Sequence, residues 1–400
     1  MAALAPLAGA ARAVVAAMPP ALRDAAFAFS TTGAATLLIA GVANALIVPS
    51  PLKPAVRVPM PWGETFFETL AVWDSAWYLD IARSGYFFDP GAHSSVAFFP
   101  LYPLLIRAGA APFGGSETAL WLSAIVVSWA GFLAALAALH RLTERMTGSQ
   151  EAARRAVLYT AVFPFSFYFF RIYTEALFLL WTVLAVWAAV EARFGRAGAF
   201  GALAALTRPN GVFIALPLIV LACAGRPDRR TLGRRLLALA PIPLALAAYS
   251  AYVWTVAGSP LAWLDAQAQW AYSLGHLPYR HILNVLVSIE DAGFNGLFAA
   301  SSTAAIEFFY VLVALLFLAL VPAISRTFGL ALGLYVLVGI AIPLSGNALV
   351  GIGRYASVLF PAFMFAATIR SLRAQHAILI VSALFYTLFL ILFVAWYPLH

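Results

Sequence analysis

Charged residues are scarce in this chain of 400 residues. Asp, Glu, Lys and Arg together make up 10% of the sequence, and hydrophobic residues make up 64%. A soluble domain has about a quarter of its residues charged and about half of them apolar. This composition excludes an ordinary soluble domain and indicates an integral membrane protein. The net charge of +8 does not indicate nucleic-acid binding, because basic residues in membrane proteins mostly set the topology.

Cysteine and the common cofactor motifs are nearly absent as well. Cys223 is the one cysteine, so the chain can form neither an intramolecular disulfide nor a cysteine-based metal site. The histidines show no HxH or HExxH spacing, and no GxGxxG, GKS or GKT loop occurs. We therefore expect no bound metal, no cofactor and no nucleotide-sugar site.

Long apolar runs are the most prominent feature of the sequence. Runs of about 20 apolar residues fit membrane-spanning helices, and they lack the ten-residue alternation of an outer-membrane barrel. They predict an all-α polytopic membrane protein with about eleven segments, two of them short, in one domain over residues 1–400. The predicted segments are 25–48, 117–139, 154–170, 174–194, 197–207, 211–224, 236–257, 303–322, 327–345, 355–369 and 376–397.

Three short arginine-rich loops set the expected orientation. By the positive-inside rule they lie in the cytoplasm, together with the N-terminus, which we interpret as retained because its charge precedes the first apolar run. Most carboxylates then fall in two long external segments, at about 49–116 and 258–302. The arginine-rich loops cover residues 141–155, 226–235 and 370–373.

The most informative segment covers residues 73–103, just after the first long apolar run. It places Asp74, Asp80 and Asp89 among aromatic residues. Carboxylates beside a bilayer are costly to keep there, and they indicate a functional site. Spacing alone leaves open the plainer interpretation, in which these acids only solvate a helix at the membrane surface.

Helical periodicity distinguishes the first two acids of this segment. As a helix with 100° per residue, its first twelve residues put Asp74, Trp77 and Tyr78 on one face. Asp80 points elsewhere and lies within reach of Arg83, three residues later. Asp74 has no such partner on its own face and is flanked by aromatic side chains. It is therefore the candidate general base.

Three arginines are candidates for binding a phosphate. Arg208 lies in a TRPNG turn at residues 207–211, Arg354 in a GIGRY stretch at 351–355, and Arg171 at the end of a predicted span. A guanidinium can hold a phosphate through two parallel hydrogen bonds. Each of these arginines could instead extend to the membrane interface without binding a ligand.

Taken together, these motifs resemble the PIG-V family of mannosyltransferases. Those enzymes are GT-C glycosyltransferases of the GPI-anchor pathway, with bacterial relatives. The first block is fairly specific, the other two are weak alone, and the match runs in order along most of the chain. The matching elements are Trp73-Asp74, Ile81-Ala82, Gly85-Tyr86, Asp89, residues 97–103, residues 207–211, Gly353-Arg354-Tyr355 and Phe360-Pro361.

The resemblance implies a GT-C fold in which the first external loop, with its amphipathic helices, builds the active site. It also implies a polyprenyl-phosphate-linked donor, with mannose as the sugar. Asp74 matches the position of the catalytic carboxylate, and arginines would stabilise the leaving phosphate. The residues expected to bind substrate are Trp73, Trp77, Tyr78, Asp80, Asp89, Phe99, Pro100, Tyr102, Arg208, Asn210, Arg354 and Tyr355.

The sequence departs from the family pattern at two positions, and its composition leaves the acceptor open. The family usually has Glu near Asp89, and eukaryotic members favour Pro where Gly353 precedes Arg354. The Ala- and Arg-rich composition is typical of bacteria with GC-rich genomes, and most bacteria make no GPI. We therefore expect the inner membrane of a bacterium, with a cytoplasmic N-terminus, an extracytoplasmic active site, and a glycan, glycolipid or protein acceptor.

The expected reaction transfers the sugar with inversion from a lipid phosphate to an acceptor hydroxyl. Other than the donor and acceptor, the expected partners are membrane lipids, with no nucleic acid. One alternative is another GT-C transferase with a different sugar. A second is a flippase or transporter of lipid-linked sugars, which the absence of an evident inverted repeat and the external position of the acids disfavour.

Overall fold

The computed structural model describes residues 17–53, 66–270, 277–300, 302–346, 348, 349 and 351–399. Within these ranges the chain forms helices and contains no strand. The start of the N-terminus, on which the predicted orientation partly rests, lies outside them. The helices in chain order are α1 Pro20–Leu46, α2 Ser75–Ser84, α3 Leu101–Ala110, α4 Glu117–Thr147, α5 Gln150–Val162, α6 Glu175–Val190, α7 Phe194–Thr207, α8 Ala215–Cys223, α9 Arg229–Leu237, α10 Pro241–Ala257, α11 Ala262–Gln269, α12 Arg280–Ala300, α13 Ser302–Phe328, α14 Leu330–Leu344, α15 Ile352–Ser357, α16 Phe360–Ala367 and α17 Leu372–Val394.

Five stretches of the described chain are long and apolar enough to cross a membrane. They are α1, α4, the run through α9 and α10, most of α13, and α17. Three shorter apolar stretches coincide with α6, the region 209–223 and α14. The predicted all-helical polytopic architecture is confirmed, and the count of eleven segments stays a prediction.

Several central helices are too short to span the hydrocarbon layer. Helices α5, α6 and α7 have 13, 16 and 14 residues, which corresponds to lengths of about 20–24 Å. The hydrocarbon layer is about 30 Å thick. Proline accounts for two of the breaks, because the residue before proline avoids the helical conformation. Phe163 and Arg208, which precede Pro164 and Pro209, both have extended ψ angles, of 141° and 149°.

A buried aromatic layer holds the irregular chain between α5 and α6. The 3-10 turn Ser166–Phe170 is buried throughout, and its Phe169 stacks on Phe132 of α4 with ring centroids 4.4 Å apart. Just before it, Phe165 stacks on Phe389 of α17 at 4.6 Å. Gly353 lies so close to Phe165 that an added Cβ would be 2.2 Å from the ring. This contact fixes α15 against the aromatic layer.

The first segment predicted to be external contacts both α10 and the second such segment. Tyr249 of α10 donates a hydrogen bond to the Val96 carbonyl at 2.8 Å, and Gln267 of α11 donates one to the Ala97 carbonyl at 2.6 Å. Tyr102 of α3 is buried and bonds Ser128 of α4 at 2.7 Å. These bonds hold the 85–100 loop in place, and residues 54–65 and 271–276 of the two segments lie outside the described chain.

Candidate active site

Asp74 lies at the start of α2, immediately before its first helical residue. Its backbone N–H donates a hydrogen bond to the Tyr173 hydroxyl at 3.1 Å, and that hydroxyl donates to the Val72 carbonyl at 3.1 Å. Helix α2 covers most of the helix predicted over 73–84. The preceding residue, Trp73, has a positive φ of 58°, which is unusual for a bulky side chain. The backbone turn at Trp73 therefore points the side chains of Asp74 and Trp73 in different directions.

Four charged side chains from distant segments form one connected network. Arg354 of α15 donates from Nη1 to Asp74 Oδ2 at 2.7 Å and from Nε to Glu175 Oε1 at 2.6 Å. Arg208, after α7, donates from Nη1 to the same Glu175 oxygen at 2.7 Å. The exposed fractions of these side chains are 0% for Glu175, 5% for Arg354, 9% for Arg208 and 17% for Asp74. Asp74 and the arginines therefore reach the surface of a cavity, while Glu175 lies behind them.

The network contains two cations and two anions, as buried charges require. Aromatic rings add to the stabilisation of the cations. The Arg354 guanidinium carbon is 4.7 Å from the centre of the Tyr173 ring and 5.2 Å from that of Tyr168. The Arg208 guanidinium carbon is 5.0 Å from the centre of the Tyr355 ring. These rings therefore lie directly against the guanidinium groups of the network.

A cavity of about 320 Å³ lies over this network. Asp74, Arg208 and Arg354 supply its charges, and His93 and Trp270 border it with their rings 4.1 Å apart. A pocket with two guanidinium groups and one carboxylate at its surface can bind an anion and accept a proton from a neighbouring hydroxyl. The remaining lining residues are Tyr78, Ala97, Phe98, Phe99, Thr207, Pro209, Gln267, Gln269 and Tyr355.

Six of the thirteen residues expected to form the site line this cavity. Burial raises the pKa of the Tyr78 hydroxyl well above its usual value, so Tyr78 stays protonated and can serve as a hydrogen-bond donor. Trp77 lies just behind the wall, where its ring stacks on Phe98 at 5.5 Å and meets Trp270 edge-on at 5.3 Å. The predicted residues that line the cavity are Asp74, Tyr78, Phe99, Arg208, Arg354 and Tyr355.

The structure places the other predicted residues elsewhere, and their roles stay predictions. Trp73 packs on Trp396 at 4.9 Å and donates its indole N–H to the Phe393 carbonyl at 3.3 Å. Asp80 forms the expected ion pair with Arg83. Asp89 is exposed in the 85–100 loop, and Pro100 begins α3.

Three further candidates lie away from the cavity. Tyr102 lies in the core between α3 and α4. Asn210 lines a separate small cavity, and its Oδ1 accepts no hydrogen bond from the described residues. Arg171 donates from Nη1 to the Thr69 carbonyl, while its Nε and Nη2 have no partner in the described chain.

Sequence reasoning did not assign Glu175, the residue that connects the two arginines. The sequence did mark Glu175 as unusual, because it is an acid at the start of an otherwise apolar run. Such residues are usually functional. Tyr173 and Tyr168 carry no comparable signal, since aromatic residues are common throughout this chain. His93 and Trp270 come from the two segments predicted to be external and meet only through the fold.

Two solved structures have a fold similar to that of this chain. It is similar to the oligosaccharyltransferase of Archaeoglobus fulgidus in the apo form, with a TM-score of 0.50 and 15% identity over 92% of this chain and 56% of that chain. It is also similar to ArnT from Cupriavidus metallidurans bound to undecaprenyl phosphate, with a TM-score of 0.51 and 15% identity over 89% and 62%. At this identity the likeness concerns the fold alone.

Sequence comparison also finds similarity to the family that the motifs resemble. Residues 36–225 match the model of the family described as mannosyltransferase (PIG-V). GPI mannosyltransferase 2 of Yarrowia lipolytica (strain CLIB 122 / E 150) is 26% identical over 178 residues, which cover 44% of this chain and 47% of that protein. The chain thus matches about half the length of this relative. The resemblance to the PIG-V family is confirmed, and the matched region contains Asp74, Glu175 and Arg208, whereas Arg354 follows it.

Proposed function

We propose that the protein is a membrane glycosyltransferase that moves a mannosyl residue from a polyprenyl-phosphate-linked donor to an acceptor hydroxyl, with inversion. The observation that carries this proposal is the network of Asp74, Arg354, Glu175 and Arg208 at one cavity. The family match supports mannose as the sugar. The undecaprenyl phosphate bound to the structurally similar ArnT supports a lipid phosphate as the leaving group.

The chemistry follows from the groups at the cavity surface. The acceptor oxygen attacks the anomeric carbon while Asp74 takes the proton of the attacking hydroxyl. The bond between the anomeric carbon and the phosphate oxygen breaks, and its electron pair leaves with the lipid phosphate. Arg354 and Arg208 stabilise the charge on that oxygen, as fixed cations do at other sites where charge develops. Attack opposite to the leaving group inverts the sugar.

The contact between Arg354 and Asp74 links donor binding to the activation of the base. In the present structure one oxygen of the Asp74 carboxylate already accepts a hydrogen bond from Arg354 Nη1. The donor phosphate competes with Asp74 for this edge of the Arg354 guanidinium. Its binding frees the Asp74 oxygen, which can then accept the proton of the acceptor hydroxyl. Glu175 keeps its bond to Arg354 Nε, so the guanidinium stays in place during this exchange. Glu175 is thus a positioning residue.

The position of the cavity suits a substrate that is anchored in the bilayer. Helix α6 begins at Glu175 and α7 ends beside Arg208, and both helices are shorter than the hydrocarbon layer is thick. We propose that the charged network lies near the level at which a lipid phosphate enters. The aromatic wall of Tyr78, Phe98 and Phe99 offers apolar contact to the sugar or the prenyl chain.

Chain direction gives the expected side of the membrane. The loop between α6 and α7 contains Arg193 and lies about 21–24 Å along these helices from the network. Helix α4 likewise runs from Glu117, which pairs with Arg83 near the cavity, to the arginine-rich stretch around residue 147. By the positive-inside rule the arginine-rich end is cytoplasmic and the cavity is extracytoplasmic. We propose a single multi-pass domain of the bacterial inner membrane.

The test is sugar transfer by purified protein. Wild-type and Asp74→Asn enzymes are incubated with radiolabelled polyprenyl-phosphate mannose and a membrane lipid extract that supplies acceptors. We expect label to appear in a product with the wild-type enzyme only. Transfer from polyprenyl-phosphate glucose or arabinose but not from mannose would assign a different sugar. Full transfer by a folded Asp74→Asn enzyme would exclude Asp74 as the base, and movement of donor across vesicles without transfer would indicate a flippase.

A further inference from the structure

A second, larger cavity lies at the arginine-rich end of the chain and takes no part in the proposed reaction. Its volume is about 810 Å³, and it is lined mostly by residues of α1, α5 and α17, including residues of the first turn of each helix. Because all three helices begin there, the positive ends of their dipoles point toward the same region. The charged lining residues are Arg23, Asp24, Glu151, Arg154, Arg155 and His376.

The arginines of this cavity outnumber its acids. Arg154 and Arg155 share one carboxylate, that of Glu151, at 2.6 and 3.1 Å. Arg23 lies 3.6 Å from Asp24, and Asp24 also contacts His140 Nε2 at 3.1 Å. Each acid therefore interacts with two partners. The excess positive charge and the N-terminal ends of the three helices favour the binding of an anion in this cavity.

The rest of the lining is apolar. Phe27 is 63% exposed and borders the cavity together with Ala26, Leu158 and Leu379. Tyr159 also lines it, with 3% of the residue exposed and a hydroxyl that has no hydrogen-bond partner among the described residues. A buried hydroxyl without a partner is costly, and it indicates a group that belongs beside it.

We propose that this cavity binds an anionic phospholipid of the surrounding bilayer. The lipid phosphate lies against Arg23 and Arg154, the Tyr159 hydroxyl donates to an oxygen of the glycerol ester region, and the first part of an acyl chain covers Phe27. Basic pockets between membrane helices on the cytoplasmic side commonly bind such headgroups. A soluble phosphate would leave the apolar half of the cavity unused. This proposal does not depend on the one for the extracytoplasmic cavity.

The experiment measures lipid binding by the full-length protein in nanodiscs. Native mass spectrometry counts the lipids retained from nanodiscs of phosphatidylcholine that contain a small fraction of phosphatidylglycerol. The variants are Arg23→Gln/Arg154→Gln and Tyr159→Phe. The matched control is Arg193→Gln, which removes an arginine that pairs with Glu191 at the same end but does not line the cavity. Thermal unfolding of each variant shows whether it is folded.

We expect the wild-type protein and Arg193→Gln to retain phosphatidylglycerol in preference to phosphatidylcholine. The double arginine variant should bind phosphatidylglycerol roughly 10- to 30-fold more weakly, since each arginine near an anionic lipid contributes about 1 kcal/mol. Tyr159→Phe should bind several-fold more weakly. Equal retention of the two lipids, or an unchanged affinity in the double variant, would overturn the proposal. If inorganic phosphate alone raised the thermal unfolding temperature of the wild-type protein as much as phosphatidylglycerol does, the ligand would be a soluble anion and the lipid assignment would be overturned.

Discussion

Glu175 and Arg354 lie 179 positions apart in the chain, and yet Glu175 Oε1 is 2.6 Å from Arg354 Nε. The same oxygen accepts a hydrogen bond from Arg208 at 2.7 Å. One fully buried carboxylate therefore sets the distance between the two cations that border the cavity. Without its charge the two guanidinium groups would repel each other in a site from which water is largely excluded.

The first prediction concerns this carboxylate. Glu175→Gln keeps the size of the side chain but removes the charge that both arginines share. We expect kcat/KM for the lipid-linked donor to fall by more than roughly 100-fold, because breaking a buried ion pair costs about 3–5 kcal/mol. Initial rates at varied donor concentration measure the loss and separate kcat from KM.

The control for this variant is Glu191→Gln at the other end of α6. Glu191 pairs with Arg193 at 3.0 Å and accepts a hydrogen bond from Trp187 at 3.0 Å, away from the cavity. Its kcat/KM should stay within about twofold of the wild-type value, as for most exposed ion pairs. A folded Glu175→Gln enzyme with wild-type kcat/KM would show that Glu175 does not position the arginines.

The second prediction separates binding from catalysis at Asp74. Asp74→Asn removes the carboxylate that competes with the donor phosphate for Arg354 Nη1. We expect this variant to bind polyprenyl phosphate about three- to tenfold more tightly than the wild-type protein, while transfer is abolished. Titration calorimetry with polyprenyl phosphate gives the Kd without any sugar transfer, so the result does not depend on the identity of the sugar.

A change of charge alone could also tighten binding, and Glu117→Gln controls for it. Glu117 pairs with Arg83 at the same end of the molecule but does not line the cavity. This variant should leave the Kd for polyprenyl phosphate unchanged. Equal or weaker binding by Asp74→Asn would contradict the proposed exchange of Arg354 between Asp74 and the phosphate.

Local features of the site could be predicted from the sequence, and long-range ones could not. The ion pair of Asp80 with Arg83 is set by helical spacing, and so is the common face of Asp74 and Tyr78. The partners of Asp74 and Glu175 come from other helices, and their register depends on where each helix ends. A single sequence does not fix those ends to within a turn.

Trp73 is a single residue whose position could not be predicted from the sequence. Continuing the helical pattern back to residue 73 places Trp73 beside the other aromatic residues of the site. Its φ of 58° breaks the pattern one residue before Asp74, and its ring instead packs on Trp396 near the end of the chain. The all-helical membrane fold, in contrast, follows from composition and apolar runs, which no local irregularity changes.

The third prediction concerns the glycine of the TRPNG turn. A Cβ on Gly211 would lie 2.1 Å from the Ala204 carbonyl oxygen and 2.7 Å from the Ala205 nitrogen. Because these are backbone atoms of α7, Gly211→Ala must move the turn that carries Arg208. We expect a loss of about 1–3 kcal/mol in stability, seen as a lower Tm, and a higher KM for the donor.

Gly195→Ala in α7, the helix that the Gly211 turn packs against, is the matched control for that substitution. A Cβ there would meet nothing within 4 Å, and alanine favours the helix over glycine by up to about 1 kcal/mol. Its Tm should equal or slightly exceed that of the wild-type protein, with the donor KM unchanged. Equal KM values for the two alanine variants would mean that the turn does not position Arg208.

The last prediction is a pH dependence at the start of α9. Hydrogen bonds from the backbone N–H and hydroxyl of Thr231 and from the Arg230 N–H lower the pKa of Asp228 below its ordinary value. A carboxylate whose pKa is depressed in the folded state stabilises that state above its unfolded pKa, and the contribution is lost as the pH falls through the folded value. Asp228→Ala should therefore speed amide hydrogen exchange in α9 near neutral pH, and the difference from wild type should shrink in acid.

Asp228→Asn, which keeps an uncharged acceptor, should differ less from wild type near neutral pH and show no such titration. An effect of Asp228→Ala that is equal at both pH values, after correction for intrinsic exchange rates, would contradict a charged cap.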